Sequence, residues 1–439
     1  MSRWLARLSF GSACLAVVIV AVFAGLRGIA MLAVGLGAAV VSLAAAFFFL
    51  SQRGVRRWLS LVAFVLAPVA VIAVYAFAGL LWVAAAAAAA WLLAAMTARL
   101  ALAGGQADWR MPERAAPAPA ARPYLIMNPK SGGGKVGRFD LKRKAEKLGA
   151  EVFLMSGPEP VDVASVAREA VAGGADLLGV AGGDGTQALV AGVAAEHGIP
   201  FLVITAGTRN HFALDLGLDR DDPSACLDAL RDGVELRVDL GVIGGQTFVN
   251  NASFGAYAEV VQTPAYRGDK LRTTLGLLPD LLGGHRGARL TARADGTEIR
   301  GPQALLVANN PYGAGDIAGL SRRVRLDRGV LGVVSVTVGD ARQAVGLLRG
   351  AHADGLTVLT AKKIEITADA RQIPVGIDGE AVSLPTPVHC TIRPGALRVW
   401  VPRNRPGIAP PKPQVNWTRL WRLAAPHRQR HPGAPEVVA

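Results

Sequence analysis

The distribution of apolar residues divides the chain before any motif is considered. From Leu8 to Leu26, and again from Gly28 to Leu50, no charge interrupts the apolar run, and each stretch has about the length that crosses a bilayer. Between Trp58 and Ala98 there is again no charge, over about twice a single span, so a helical hairpin turning near Ala78-Gly79 is the economical reading. Four membrane helices are therefore expected within residues 1–103. A secretory signal peptide over Leu8–Leu26 is the alternative; three further apolar stretches, and no convincing cleavage site, argue against it.

Arginine placement sets an orientation. Arg3 and Arg7 precede the first span, Arg53, Arg56 and Arg57 separate the second from the third, and Arg99 and Arg110 follow the fourth. Only Arg27 falls in an opposite-side loop, so both ends are expected to face the cytoplasm. With no ionisable residue inside a span, the module reads as an anchor or substrate-gathering element and not as a transport path.

The pattern changes after a Pro/Ala-rich linker, residues 104–122. Short apolar runs at Tyr124–Met127, Glu151–Met155, Ala175–Ala181 and Pro200–Thr205 alternate with helical stretches at Arg138–Leu148, Pro160–Ala172 and Gln187–His197. That alternation predicts a parallel, doubly wound α/β domain over residues 123–237, with ligands at the carboxyl ends of its strands. From residue 238 to 402 the runs alternate apolar and polar (Phe248–Ala252, Ala304–Ala308, Gly332–Val338, Lys363–Thr367, Val388–Ile392), predicting a mostly antiparallel, sandwich-like β domain. Helical excursions are expected at Pro279–Gly284 and Ala341–Arg349, and residues 403–439 read as a disordered basic tail.

Composition sharpens this in two ways. The hydrophobic fraction of 51% in 439 residues excludes a disordered chain, and its surplus lies almost entirely before residue 103. The net charge of +14 suits phosphorylated ligands, anionic lipid or nucleic acid. Cys14, Cys226 and Cys390 show no ligand spacing, so neither a disulfide framework nor a zinc site is supported.

Three Gly/Thr-rich loops follow the predicted strands: Asn128-Pro129-Lys130-Ser131-Gly132-Gly133-Gly134-Lys135, Gly182-Gly183-Asp184-Gly185-Thr186 and Ala206-Gly207-Thr208-Arg209-Asn210-His211-Phe212. Glycine-rich turns before helix N-termini gather backbone N–H groups around an anion, and Lys130, Lys135 and Arg138 add charge that can neutralise phosphate. The first loop is not a P-loop, because Pro129 and Val136 stand where that motif needs Gly and Ser or Thr. Gly183-x-Gly185-x-x-Ala188 matches a dinucleotide pattern, but Ile204-Thr205-Ala206 stands where its acidic residue belongs. A carboxylate inside such a loop, Asp184, suits phosphoryl transfer, where it can bind Mg²⁺ or take a proton.

In this order and spacing, Asn128-Pro129-Lys130-Ser131-Gly132, Gly182-Gly183-Asp184-Gly185-Thr186 and Gly207-Thr208-Arg209-Asn210-His211-Phe212-Ala213 resemble the catalytic domain of diacylglycerol kinases and their bacterial lipid-kinase relatives, over about residues 123–402. The resemblance implies a two-domain enzyme that transfers the γ-phosphate of ATP to a lipid hydroxyl with Mg²⁺, the lipid being received between the α/β domain and a β-sandwich. It implies ATP contacts from Asn128, Pro129, Lys130, Ser131, Gly132, Gly182, Gly183, Asp184, Gly185, Thr186, Thr208 and Asn210, with Lys135 and Arg209 near the phosphates and Asp184 acting in the Mg²⁺–ATP network. The resemblance further implies that the late Asp378-Gly379-Glu380 supplies the catalytic base, Glu380; by itself this stretch reads as a hairpin turn.

One departure concerns a structural Mg²⁺ that many members hold with Asp-Asp-Gly. Here Asp327-Arg328-Gly329 stands in its place, leaving Asp327 as the sole metal candidate against a plain turn residue. His211, where many relatives have Asp, could orient a phosphate or cap the helix Phe212–Leu216, and local capping is the reading preferred. Asn250-Asn251 and Asn309-Asn310-Pro311-Tyr312 are polar interruptions explained equally by turns or by a cleft lining.

The resulting expectation is a multi-pass membrane lipid kinase with ATP, Mg²⁺, a membrane lipid and an anionic lipid surface as partners. The basic tail with Trp417 and Trp421 suits that surface as well as a solvated tail. Nucleic acid is not expected, because the folded part has no aromatic-basic module. An NAD-kinase-like small-molecule kinase and a non-catalytic nucleotide-sensing membrane protein remain the alternatives. Diacylglycerol, a sphingoid base or a glycolipid alcohol would each fit as acceptor, with phosphatidic acid the product for the first; the oligomeric state, a homodimer included, is left open.

Overall fold

A computed structural model describes residues 2–52, 54–103, 110–116, 119–157, 161–256, 258, 288–312, 322–337, 355–407 and 417–424. The chain forms two compact units, one of Met1–Ala46, Trp58–Asp108 and Pro410–Ala439, the other of Phe47–Arg57 and Trp109–Ala409.

Helices dominate the first unit: α1 (Ser2–Ser51), α2 (Val55–Phe77) and α3 (Leu81–Ala103). Two helices were expected where α1 runs unbroken. Its predicted break holds only Arg27 and Gly28, and a lone glycine, at about 1 kcal/mol, does not end a helix without proline or a capping residue. Among the described residues three helices, Arg3–Phe23 within α1, Val55–Phe77 and Leu81–Leu102, are long and apolar enough to cross a membrane, with Ala33–Phe49 as a shorter apolar stretch. The turn at Ala78–Gly79 does separate α2 from α3, with Gly79 at φ 69°. α1 runs antiparallel along α3, since Ser9 Oγ donates to Ala94 O at 2.8 Å and the rings of Phe23 and Trp82 meet at 5.0 Å.

The expected disordered tail contains a helix, Trp417–Ala424, whose apolar side has a partner. Leu420 is fully buried against Ala6, Ala98, Ala101 and Leu102, and Trp421 meets Phe10 edge to face at 5.6 Å. Arg7 Nε donates to Ala424 O at 3.2 Å, a cation satisfying a helix C-terminal carbonyl.

The second unit is built on two sheets. Its strands are β1 (Arg114–Ala115), β2 (Pro123–Met127), β3 (Glu151–Leu154), β4 (Leu177–Ala181), β5 (Phe201–Ile204), β6 (Gly233–Ile243), β7 (Gln246–Phe248), β8 (Asn251–Gly255), β9 (Leu290–Ala294), β10 (Thr297–Arg300), β11 (Ala304–Asn309), β12 (Leu331–Val336), β13 (Leu356–Ala361), β14 (Lys363–Ala368), β15 (Gln372–Ile377), β16 (Glu380–Pro385) and β17 (Val388–Pro402). Helices α4 (Lys135–Arg138), α5 (Leu141–Lys147), α6 (Val163–Ala172), α7 (Asp184–Glu196) and α8 (His211–Asp215) connect its first half. Parallel pairing of β3, β2, β4 and β5 gives the α/β core, and β4 and β5 are buried throughout, as near-continuous apolar strands covered on both faces must be.

The first sheet continues as β10-β9-β14-β17-β5-β4-β2-β3, with β6 paired to β17. The antiparallel second sheet, β13-β12-β11-β8-β15-β16, packs on its far half through a core of Phe248, Phe254, Val307, Ile364, Val375 and their neighbours. β17 pairs parallel with β5 through Val399 and Trp400, so a strand from the 238–402 stretch also joins the sheet of the α/β core.

Local departures from the expected pattern have identifiable causes. The helix expected over Arg138–Leu148 breaks at Phe139-Asp140, where Asp140 has φ 53°. The run Phe248–Ala252 breaks into β7 and β8, because the N–H groups of Val249, Asn250 and Asn251 are taken by the Asp378 side chain. The excursions expected at Pro279–Gly284 and Ala341–Arg349 lie outside the described residues.

Candidate active site

The three glycine-rich loops meet at the carboxyl ends of β2, β4 and β5. The first turns back at Asn128, whose N–H reaches Ala181 O of β4 at 2.9 Å and whose Oδ1 accepts from Lys130 N at 2.9 Å. Gly132, at φ 54°, lies so close to the third loop that a Cβ would fall 2.3 Å from Ala206 O. Gly207 lies as tightly on the second loop, where a Cβ would fall 2.7 Å from Gly182 O. Larger residues at either position would push the loops apart.

The Gly-Gly-Asp-Gly-Thr segment opens α7, with Gly183 as its N-cap. First-turn N–H groups of a helix have no partner within it, so Gly183–Thr186 present the geometry that holds phosphate. Asp184 is nearly buried and turned toward the next helix. Its Oδ2 and Oδ1 accept from His211 N and Phe212 N, each at 3.2 Å, so Asp184 caps α8.

Some residues expected at the nucleotide also shape the loops. Asn210 is fully buried; its Oδ1 accepts from Gly207 N at 3.2 Å and its Nδ2 donates to Gly207 O at 2.9 Å. Lys135 Nζ donates to Thr205 O at 3.2 Å and Arg220 O at 2.6 Å, and burial holds its pKa below the usual value. Arg138 reaches back to Gly132 O. Lys130 and Thr208 are exposed at the loop tips, while Pro129, Ser131 and Thr186 are half-buried around them.

The β domain contributes a second wall. Asp378-Gly379 is the turn between β15 and β16, with both φ angles positive (48° and 87°), as a two-residue hairpin favours. Asp378 is half-buried as a residue, yet both carboxylate oxygens are taken: Val249 N at 2.8 Å, Asn250 N at 2.7 Å and Asn251 N at 3.0 Å donate to them. Burial pushes this carboxyl up to about 7, against those three bonds and with the Asp184 charge adding to the rise. Two residues on, exposed Glu380 comes against the second loop. A Cβ on Gly185 would fall 3.0 Å from Glu380 Cγ and 3.5 Å from its Oε1. Glu380 and the Gly-Gly-Asp-Gly-Thr loop, far apart in sequence, are thus adjacent.

Asp327 is not set among metal donors. Its carboxylate is held by Arg325 in a two-bond fork, both at 2.7 Å. Nearby Asp239, buried, accepts from Gly329 N at 2.6 Å, Gly395 N at 2.7 Å and Asn310 Nδ2 at 3.0 Å. No group of three or more His, Cys, Asp or Glu side chains suited to a metal occurs among the described residues. The residues at this turn therefore do not fit a structural Mg²⁺: cationic and N–H donors occupy the oxygens an ion would need.

Residues 122–243 match the family model described as the diacylglycerol kinase catalytic domain, and residues 254–401 the model described as the YegS C-terminal NAD kinase beta sandwich-like domain. A Pseudomonas fluorescens protein named "Probable lipid kinase YegS-like" is 32% identical over 262 residues, 56% of this chain and 85% of the relative. The chain belongs to the diacylglycerol kinase catalytic-domain family. Within that family, a protein named diacylglycerol kinase from Bacillus subtilis is 28% identical over 275 residues, 59% of this chain and 89% of the relative. A crystal structure of a diacylglycerol kinase from Bacillus anthracis shares the fold with a TM-score of 0.51 at 21% identity, covering 65% of this chain and 99% of that one. Family membership makes the chain a kinase with a nucleotide and a lipid as its substrate classes.

Sequence reading missed Asp215 and Arg323. Both lie buried below the site, joined at 2.6 Å. An aspartate in the otherwise apolar stretch Phe212–Leu216 was the available signal.

Proposed function

We propose that the chain is a membrane-anchored, ATP-dependent lipid kinase that phosphorylates diacylglycerol to phosphatidic acid. The approach of Glu380 to Gly185 is the observation that supports this most, since an exposed glutamate then stands beside a helix N-terminus of the kind that suits phosphate. In this reading Glu380 takes the proton of the lipid hydroxyl as its oxygen bonds to the γ-phosphorus. The bond from that phosphorus to the β–γ bridging oxygen breaks, and ADP leaves with the electron pair.

The Asn128–Gly132 loop encloses the phosphates and N–H groups of Gly182–Thr186 bind them, with Thr208 and Lys130 at the rim. Asn210 and Lys135 keep the loops in contact. A Mg²⁺ carried with ATP would take its ligands from phosphate and water and would neutralise phosphate charge, with Asp184 acting on that network through the α8 N–H groups that its two oxygens accept. The three apolar helices support a membrane location, which suits an insoluble acceptor by confining enzyme and lipid to one surface.

Membranes carrying the full chain, incubated with labelled ATP and a panel of diacylglycerol, sphingoid base, glycolipid alcohol and soluble NAD, test this. Label is expected in phosphatidic acid. Label in NAD, or none in lipid above chain-free membranes, contradicts the proposal. A reporter fused after residue 110 should be active only in the cytoplasm, where ATP is available.

A further inference from the structure

Beneath the site lies an arginine with no exposure at all. Arg323 Nε donates to Asp215 Oδ2 at 2.6 Å, while Nη1 reaches Val249 O at 2.8 Å, Asn250 O at 3.2 Å and Asn309 O at 2.7 Å, and Nη2 reaches Asn250 Oδ1 at 2.6 Å. Its own N–H meets Asp215 Oδ1 at 3.0 Å, and its guanidinium lies 5.5 Å from the centre of the Tyr312 ring. Taking such a cation out of water costs several kcal/mol unless its donors are used, so this group persists because it joins many acceptors at once.

Those acceptors belong to both halves of the site. Asp215 ends α8, whose first N–H groups are held by Asp184 of the second glycine-rich loop. Val249 and Asn250 give their carbonyls to Arg323 and their N–H groups to Asp378, which starts the turn leading to Glu380. Glu380 in turn lies against Gly185, one residue from Asp184. The contacts close a ring: Asp184, α8, Asp215, Arg323, Val249-Asn250, Asp378, Glu380 and back to Gly185. Tyr312 braces it, since its hydroxyl accepts from Asn251 Nδ2 at 2.9 Å.

We propose that Arg323, locked by Asp215, is a positioning residue that fixes the distance between Glu380 and the phosphate-binding loop. It touches no substrate and acts through the backbone of Val249-Asn250 on the Asp378 turn. Guanidinium shape is required, because five acceptors distributed over Nε, Nη1 and Nη2 match an Arg fork and not a lysine point charge. The inference rests on Glu380 being the base of the proposed kinase.

The test uses the full-length chain in lipid micelles, with Arg323→Lys and Asp215→Asn each made in the wild-type and Glu380→Gln backgrounds. Expected are a fall in kcat of at least tenfold, KM values for ATP and lipid within about threefold, and little further loss when either change is added to Glu380→Gln. Losses that multiply in the double variants, or unchanged kcat in both single variants, overturn the proposal. Asp215→Asn keeps the arginine and its β-domain bonds, so it serves if Arg323→Lys fails to fold. Amide hydrogen exchange over 247–253 and 378–382 gives a readout independent of turnover. Faster exchange confined to both segments supports the ring, and unchanged or global exchange overturns it. Should the wild-type chain phosphorylate no lipid, the kinase reading fails by that result alone, and the exchange pattern still decides whether Arg323 positions the turn.

Discussion

Replacing Gly185 by alanine separates a steric effect on Glu380 from any effect on folding. The new methyl would lie 3.0 Å from Glu380 Cγ, whereas carbon pairs settle at about 3.5–4.0 Å, so the Glu380 side chain must retreat by roughly 0.5–1 Å. Misplacement on the order of 1 Å can cost about 100-fold in rate, so kcat should fall about 10- to 100-fold, or about 1–3 kcal/mol in the barrier. The backbone favours the change: Gly185 is the second residue of α7, its φ is not positive, and alanine is better than glycine in a helix by up to about 1 kcal/mol. Label transfer at saturating ATP and diacylglycerol, alongside a thermal unfolding midpoint, reads the two effects separately. Gly137→Ala is the control, because a Cβ there meets nothing within 4 Å. Wild-type kcat in Gly185→Ala would refute the placement of Glu380 at the loop, as would a loss matched by a lowered midpoint.

Other predictions follow from single contacts. Gly132→Ala forces a Cβ to 2.3 Å from Ala206 O at a positive φ, so nucleotide binding should fall at least tenfold by equilibrium titration. The Asp378 carboxyl, raised to about 7, and Asp215, raised by burial to about 6 despite Arg323, bind protons more tightly folded than unfolded. These two groups therefore make the catalytic unit less stable as pH rises from about 4 to 7. Protonating Asp378 removes a charged acceptor from three N–H groups, so kcat should fall as pH drops below about 7. Thermal midpoints and rates measured across that range should move in opposite directions, and parallel movement would exclude the assignment. Leu420→Asp buries a charge among Ala6, Ala98, Ala101 and Leu102, and should release Trp417–Ala424 to proteolysis without altering kcat toward a soluble short-chain diacylglycerol.

Much of the fold was legible because periodicity and glycine punctuation are local. β2, β4 and β5 are apolar runs ending at Gly/Thr-rich loops, and their positions follow from sequence alone. What local pattern does not carry is which distant backbone groups a side chain will meet. Asp378 interrupts the Phe248–Ala252 run by taking three of its N–H groups, across a separation no period encodes. β17 leaves the sandwich and pairs with β5 for the same kind of reason, since its final Val399 and Trp400 complete an otherwise open strand edge. The unbroken α1 reflects the opposite limit: Arg27-Gly28 marked a loop by charge, but nothing in its covalent structure ends a helix.

Within the site, the motif residues located the loops but not their division of labour. Asn210 and Lys135 stand among the motif residues, and what the motif does not convey is that they also tie the loops together through Gly207, Thr205 and Arg220. Asp327, a metal candidate or a plain turn residue by sequence, is held by Arg325. Arg323 gave no signal at all, since an arginine's burial is decided by tertiary contacts alone.

The central claim is that Glu380, delivered by the β domain, performs proton transfer at a nucleotide site made by the α/β domain. Glu380→Gln tests it most directly, by comparing ATP affinity with phosphoryl transfer to diacylglycerol in the same full-length preparation. The account predicts ATP affinity within about threefold of wild type and transfer reduced at least 100-fold, the usual scale for removing a general base. Transfer within a few-fold of wild type, with ATP bound normally, would contradict it.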